Sequence, residues 1–183
     1  KAAIANWRER TGEALANKIQ KDAANRGGKM HAFIEQYLLG QLNQSLFEKN
    51  EQYQKMAEII IKQGIDGRLK EIWGVEATLT YPKKFAGTAD LLGIFDQKEA
   101  VIDFKNSLKL KKIEYAQDWF LQLGAYSLAH NVVYGTNITS GVILLCTVDL
   151  AFQEFKIEND ELIMYQNLFL GRLKKFHEMK NLY

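Results

Sequence analysis

The chain of 183 residues carries a net charge of only +2, with 47% hydrophobic residues, 25% charged residues and a single proline. This composition is typical of one globular domain, so residues 1–183 are predicted to share a single core. No apolar run approaches the roughly 20 residues of a membrane span, and affinity for a polyanion would have to come from a local basic patch. The one cysteine, Cys146, lies in the apolar run GVILLCTV, which predicts a buried thiol, excludes an intramolecular disulfide and favours a reducing compartment.

Residues 1–71 are predicted to form a helical N-terminal layer, because apolar side chains recur at helical spacing. The glycine pair of NRGG predicts a break between the first two helices. The predicted helices cover residues 2–24, 29–40, 51–63 and 67–71, with the break at residues 25–28.

Residues 72–157 are predicted to form the sheet core, in which three strands separated by short connections make an antiparallel meander. The strands are WGVEATLTY (73–81), FAGTADLLGIF (85–95) and AVIDFKNS (100–107). A helix over 114–134, a buried strand over 140–148, an outer strand over 152–157 and a C-terminal helix within 158–183 complete the chain. This order indicates a mixed α/β (α+β) fold with helices packed on the sheet.

The third strand carries an unusual pair of charges. Side chains alternate along a strand, so Asp103 and Lys105 are predicted to share a face inside a largely apolar segment. Ionised groups in such a place are costly unless they are paired, hydrogen-bonded or bound to a metal. The spacing alone is weak, since Asp96–Lys98, Glu154–Lys156 and Glu178–Lys180 also match an acidic-x-Lys pattern.

Asp103 differs from those other matches because a second aspartate, Asp90, lies in the preceding strand at a similar distance from the connecting turn. The two carboxylates are therefore predicted to meet across strands, about 5 Å apart, where they repel unless a cation lies between them. Oxygen ligands from two aspartates suit Mg²⁺ or Mn²⁺. Such a metal activates water and neutralises charge on a phosphate, and Lys105 would place a positive charge beside that water or the leaving oxygen.

Together, Asp90 and Asp103-x-Lys105 resemble the core motif of the PD-(D/E)xK nucleases. RGGKMHAFIEQYL resembles the upstream helix motif of their RecB-like exonuclease branch, and QLGAY resembles its Gln-x-x-x-Tyr motif. The ordered series, preceded by WRERTGEALANKI, is most similar to the mitochondrial genome maintenance exonucleases and their bacteriophage relatives and covers residues 7–148. The proline usual before the first aspartate is absent, since Thr88 and Ala89 precede Asp90.

The resemblance implies a restriction-endonuclease-like core and a metal-dependent DNA exonuclease that uses Mg²⁺ or Mn²⁺. Single-stranded DNA with a free end is the expected substrate, because the helical layer would roof the site and leave a channel. A monomer without membrane association is expected, in a bacterial or phage-infected cytoplasm or in the mitochondrial matrix of a eukaryote. The implied catalytic residues are Asp90, Asp103 and Lys105, and the implied metal ligands are His31, Asp90 and Asp103.

Several other residues are expected to support the site, each with a simpler alternative. His31 lies on an apolar helix face, where a buried core histidine is the alternative to a ligand, and Glu35 one turn later either orients His31 or is a solvated charge. Glu76 either assists a second metal or is a solvated strand residue. Arg26 and the amides after the glycine pair either bind phosphate at a helix start or mark a break.

The segment after the third strand combines basic and aromatic residues. Lys109, Lys111 and Lys112 are followed by Tyr115 and Trp119, a combination that suits single strands because bases stack on aromatic rings. A solvated loop next to core aromatics is the equal alternative. Gln122 and Tyr126 share one helix face, and the glutamine needs a hydrogen-bond partner, either a substrate phosphate or the neighbourhood of Lys105.

Two other functions use the same residues. A nuclease-fold module that binds nucleic acid without cleaving it would be expected to lack an acidic residue or the lysine, and all are present here. A structure-specific or restriction-type endonuclease would share Asp90, Asp103 and Lys105 but is not expected to share His31 or the Gln-x-x-x-Tyr pair.

Overall fold

The computed structural model describes residues 2–41 and 51–180, and the side chains within these ranges from residue 5 onward. Its helices are α1 (Ala2–Thr11), α2 (Glu13–Leu38), α3 (Gln52–Ile60), α4 (Gln117–Tyr134) and α5 (Asp160–Lys180). Its strands are β1 (Leu69–Tyr81), β2 (Phe85–Phe95), β3 (Lys98–Ser107), β4 (Ser140–Thr147) and β5 (Phe152–Glu158). Residues 42–50 of the predicted helical layer and residues 181–183 of the predicted C-terminal helix lie outside the described residues.

The five strands form one mixed sheet in the order β1-β2-β3-β4-β5. The first three are antiparallel neighbours, so the predicted meander is confirmed. β4 runs parallel to β3, and α4 lies in the connection between them, as a parallel pair requires. β5 then returns antiparallel to β4. The predicted mixed α/β fold is confirmed.

Alternation along the central strands divides the core into two layers. Leu91 and Ile102 pack with α2 and α3 on one face of the sheet. Leu92 and Val101 pack with α4 and α5 on the other face. β4 is buried along its whole length, as its continuous apolar sequence predicts. None of the helices in the described part of the chain is long and apolar enough to cross a membrane.

The predicted helix break at residues 25–28 is wrong. α2 runs without interruption from Glu13 to Leu38, and the chain breaks instead at Gly12, whose φ of +84° favours glycine. Gly27 serves close packing, because a Cβ atom on it would lie 2.6 Å from Nδ2 of Asn106 on β3. The glycine therefore allows α2 to approach the sheet.

The short helix predicted at residues 67–71 is also wrong. α3 ends in a π-helical turn over Ile61–Ile65, and the strand β1 already begins at Leu69. Gly67, with a φ of +77°, makes the turn between them. Leu69 pairs with Phe95 of β2, so sheet pairing determines the conformation of this segment.

Candidate active site

Three acidic residues lie on three neighbouring strands. Glu76 on β1 is flanked by the pairs Val75–Leu91 and Ala77–Ala89, which places it opposite Asp90 on β2. Glu76 has a φ of +46°, a left-handed conformation that is uncommon for a side-chain-bearing residue and often found at functional sites. Strand pairing therefore brings Glu76 to Asp90 through a local distortion of β1.

Asp103 follows Asp90 across the next strand pair. The last paired residues of β2 and β3 at this end are Leu91 and Ile102. Asp90 and Asp103 lie one position further, where the backbone pairing of the two strands stops. Asp90 is 8% exposed and Asp103 only 1% exposed. The nearby charge of Asp103 raises the pKa of Asp90, as expected for carboxylates on adjoining strands.

His31 reaches this group from α2. Its Nε2 lies 2.8 Å from the carbonyl oxygen of Phe104, and since a carbonyl only accepts, Nε2 carries the proton and donates it. Nδ1 lies 3.5 Å from Oε1 of Glu76 and 3.6 Å from Oδ2 of Asp90, and in the neutral ring it presents its lone pair there. A lone pair that faces two carboxylates is an arrangement that a cation would stabilise.

The backbone of Phe104 forms hydrogen bonds with both His31 and Asp90. Its N–H donates to Oδ2 of Asp90 at 2.7 Å, while its carbonyl accepts from His31. Glu35 was expected to be able to orient His31, but the observed acceptor is this carbonyl, and Glu35 lies on the wall of the adjoining cleft. Sequence reasoning missed this function of Phe104, whose only signal is its position between Asp103 and Lys105.

Burial makes both aspartates hard to ionise. It raises the pKa of Asp90 from 3.8 to about 7, and the nearby charge of Asp103 adds to the effect. Burial also raises the pKa of Asp103, against the lowering influence of Lys105. Two such carboxylates side by side are stabilised in their charged form only by additional positive charge.

Lys105 supplies part of that positive charge. Its Nζ lies 2.6 Å from Oδ2 of Asp103, on the shared strand face that alternation predicts. The other oxygen, Oδ1, is buried and has no hydrogen-bond partner among the described residues. The buried carboxylate therefore keeps an acceptor oxygen that the described part of the protein does not use.

A chain of two hydrogen bonds holds Lys105 from the other side. Nζ donates to Oε1 of Gln122 at 3.2 Å, and Nε2 of Gln122 donates to the hydroxyl of Tyr126 at 3.1 Å. Of the two partners expected for Gln122, the Lys105 neighbourhood is the one observed. The ammonium group is thus oriented by α4 as well as by Asp103.

Arg26 is not at a helix start, because α2 continues through it, so the predicted phosphate site on free amides is wrong. Its Nε donates to Oδ1 of Asn106 at 3.1 Å, which ties α2 to β3. Asn106, which sequence reasoning also missed, lies directly after Lys105 and packs on Gly27. The pair Arg26–Asn106 therefore fixes the helix that carries His31.

An open cleft of about 760 Å³ lies beside these residues. One wall is α2, with Gly27, Gly28, His31, Ala32 and Glu35, and the other carries Glu76, Phe104, Lys105, Asn106 and Trp119. Within the described residues α2 forms a side wall, whereas a covered channel was predicted. The volume of the cleft is typical of a ligand-binding site.

The basic segment leaves the cleft at the end of β3. Lys109 and Lys112 are exposed, and Tyr115 is 70% exposed. The backbone of Lys111 is fixed, since its N–H donates to Oε1 of Gln153 and its carbonyl accepts from Nε2, both at 2.8 Å. The segment therefore carries lysine side chains and an aromatic ring on a backbone that is fixed by hydrogen bonds.

The donor set fits a hard divalent cation. His31, Glu76 and Asp90 each offer one ligand atom, and these atoms lie within 4.8 Å of one another. Carboxylate oxygens with one imidazole suit Mn²⁺ and are compatible with Mg²⁺. Asp103, whose Oδ1 has no hydrogen-bond partner among the described residues, lies next to this group.

No protein-family model and no curated protein matches the sequence. Among solved structures, a candidate exonuclease from Eubacterium rectale is similar, with a TM-score of 0.56 and 13% identity over 85% of this chain and 68% of that one. An alkaline exonuclease from Laribacter hongkongensis gives a TM-score of 0.37 and 17% identity over 87% of this chain and 84% of that one. At 13% identity, the likeness to the first structure is a likeness of fold.

Proposed function

We propose that this chain is a metal-dependent DNA exonuclease of the PD-(D/E)xK type. The observation that carries the proposal is the group formed by His31, Glu76 and Asp90 beside the buried Asp103–Lys105 pair, at the wall of an open cleft. The motif resemblance to the RecB-like branch supports the same reaction. A stability role is a poor explanation, because buried carboxylates with raised pKa values destabilise a fold unless they bind something.

In this proposal, His31, Glu76, Asp90 and Asp103 would hold one or two Mg²⁺ or Mn²⁺ ions. When bound, such an ion lowers the pKa of a ligated water and neutralises charge on the scissile phosphate. In its neutral form His31 would offer the Nδ1 lone pair, because Nε2–H donates a hydrogen bond to the carbonyl of Phe104. Phe104 also holds one oxygen of Asp90.

Lys105 provides electrostatic stabilisation in the proposed reaction. Its ammonium is held between Asp103 and Gln122, so it adds positive charge next to the carboxylates at a fixed place. A preoriented charge stabilises the negative charge that develops on the phosphate oxygens without reorganisation during the reaction. Gln122 and Tyr126 act as positioning residues for this charge.

Single-stranded DNA is the proposed substrate. Lys109, Lys111 and Lys112 continue from the strand that carries Lys105, and Trp119 lies on the cleft wall. Lysines attract the phosphate backbone, and aromatic rings stack on unpaired bases without sequence preference. An open cleft also fits the second candidate, an endonuclease, so the requirement for a free end has to be tested.

The test compares linear single-stranded DNA with a closed circle of the same sequence, at equal enzyme and metal. Mg²⁺ or Mn²⁺ should support degradation of the linear strand, EDTA should stop it, and the circle should survive. Comparable degradation of both substrates would identify an endonuclease. DNA binding without cleavage in either metal would identify a nucleic-acid-binding module.

A further inference from the structure

A second cavity, of about 450 Å³, lies between α4, α5 and the start of β2. Its walls include Phe85, Tyr126 and Phe169, and its floor includes Ala125. Phe85 and Phe169 meet edge to face, with ring centroids 4.8 Å apart. We call this space the aromatic cavity, defined by Phe85, Ala86, Gln122, Tyr126 and Phe169.

The aromatic cavity adjoins the candidate active site through Gln122. This side chain lines the cavity, and its Oε1 accepts the hydrogen bond from Nζ of Lys105 at 3.2 Å. Its Nε2 donates to the Tyr126 hydroxyl, which also lines the cavity. Two hydrogen bonds therefore connect the lysine proposed to act on the phosphate with the cavity wall.

The charge at the mouth of the cavity favours a neutral occupant. Arg172 and Asp118 line it together and form an ion pair, with Nη1 and Oδ1 2.9 Å apart. These two residues therefore add no net charge to the lining of the cavity. Few hydrogen-bond donors remain for a ligand in the cavity. The bonds that join Lys105, Gln122 and Tyr126 leave the hydroxyl proton of Tyr126 and the second N–H of Gln122 unused.

Gly87 keeps the cavity in this shape. A Cβ atom on Gly87 would lie 2.7 Å from Cε1 of Tyr126, so only glycine lets the tyrosine ring rest against β2. The ring is thereby held as a wall of the cavity. A flat apolar ring with a few polar atoms matches this space better than a sugar or a phosphate does.

We propose that the aromatic cavity binds the base of the nucleotide next to the scissile phosphate. The proposal rests on the proposed nuclease function. The base stacks among Phe85, Tyr126 and Phe169 while the phosphate remains at Lys105. Because the contacts are mainly with the ring face, all four bases should bind with similar affinity.

The experiment measures binding in EDTA by ligand-observed NMR, with thymidine 5′-monophosphate and with 2-deoxyribose 5-phosphate, which lacks the base. The nucleotide should bind about tenfold more tightly or better, in line with the contribution of one stacked base. Equal binding of the two compounds would overturn the proposal.

Ala125→Phe is the blocking variant, because Ala125 lies on α4 and lines the cavity. It should remove the advantage of the nucleotide, and Phe169→Leu should reduce it while keeping an apolar side chain in the core. Met164→Phe, on the separate cavity along α5, is the matched control and should leave the advantage unchanged. An Ala125→Phe protein that melts cooperatively and keeps the full advantage would refute the assignment.

A cleavage assay separates this proposal from the proposed function. Metal-dependent cleavage by a protein that does not distinguish the two compounds would overturn the base pocket alone. Base-dependent binding by a protein that never cleaves DNA would support the pocket and overturn the nuclease function.

Discussion

Asp90 is the residue at which stability and function are expected to conflict. Its pKa is raised to about 7 by burial and by Asp103, so at pH 8 without metal the folded protein holds a carboxylate that would be more stable in water. An asparagine keeps an oxygen that can accept from the N–H of Phe104 and removes the charge.

We therefore expect Asp90→Asn to raise the melting temperature in EDTA at pH 8, by about 2–4 °C per kcal/mol gained. A raised folded-state pKa means that the folded protein takes up a proton as pH falls through about 7, so the gain should shrink below that pH. Calorimetric melting across pH measures it. A lower melting temperature of Asp90→Asn at pH 8 would contradict the account.

Asp96 provides the control of opposite sign. Hydrogen bonds from Arg68 hold the pKa of Asp96 below 3.8, so this ion pair stabilises the fold above that pH and the contribution is lost as pH falls through the folded-state pKa. Asp96→Asn should lower the melting temperature at pH 7.

Lys105 is expected to contribute to turnover without binding the metal. Lys105→Ala should lower kcat by about 100-fold or more, the typical cost of removing one preoriented electrostatic group. Mn²⁺ affinity, measured by calorimetry, should stay the same or increase, because Asp103 loses its cationic partner. Lys98→Ala, on the same strand and paired with Glu158, should change neither quantity. Loss of Mn²⁺ binding in Lys105→Ala would show that the lysine is structural.

At the scale of elements, the close approach of α2 to β3 depends on Gly27 and not on its neighbour Gly28. A Cβ atom on Gly27 would lie 2.6 Å from Asn106 Nδ2, whereas a Cβ atom on Gly28 meets nothing within 4 Å. Gly28→Ala should add about 0.5–1 kcal/mol to the free energy of unfolding, the usual gain in a helix interior.

Gly27→Ala should fail to give that gain, because the methyl group displaces the Asn106 side chain that Arg26 holds. It should also weaken Mn²⁺ binding, since His31 lies one turn further along α2. Urea unfolding and Mn²⁺ titration of both variants measure the difference. Equal stabilisation by both alanines would show that α2 is not fixed at this contact.

The same helix shows what sequence could and could not predict. Strand periodicity and short connections predicted the meander and the shared face of Asp103 and Lys105, because both depend on local geometry. The role of Gly27 could not be read locally, since its partner lies on another element and a glycine pair usually marks a break. The bond from His31 to Phe104 also joins residues 73 positions apart.

At the scale of the whole molecule, the net charge is only +2, so the proposed DNA binding depends on the basic segment of Lys109, Lys111 and Lys112. Replacing Lys109, Lys111 and Lys112 by alanine should weaken binding to all single strands alike. It should also reduce the slope of log K against log salt by about 0.7 for each lost phosphate contact. Anisotropy titrations in EDTA at several salt concentrations measure this, with exposed Lys62→Ala as the control. An unchanged slope in the triple variant would place the DNA elsewhere.

In the proposed function, the carboxylates of neighbouring strands bind a divalent metal that is needed to cleave DNA. The most direct test of this function measures Mn²⁺ binding by calorimetry and cleavage of an end-labelled single strand with the same preparations of the parent protein and Asp90→Asn. The parent should bind Mn²⁺ and cleave, and Asp90→Asn should lose both while melting cooperatively. Undiminished cleavage by Asp90→Asn would contradict the proposed function.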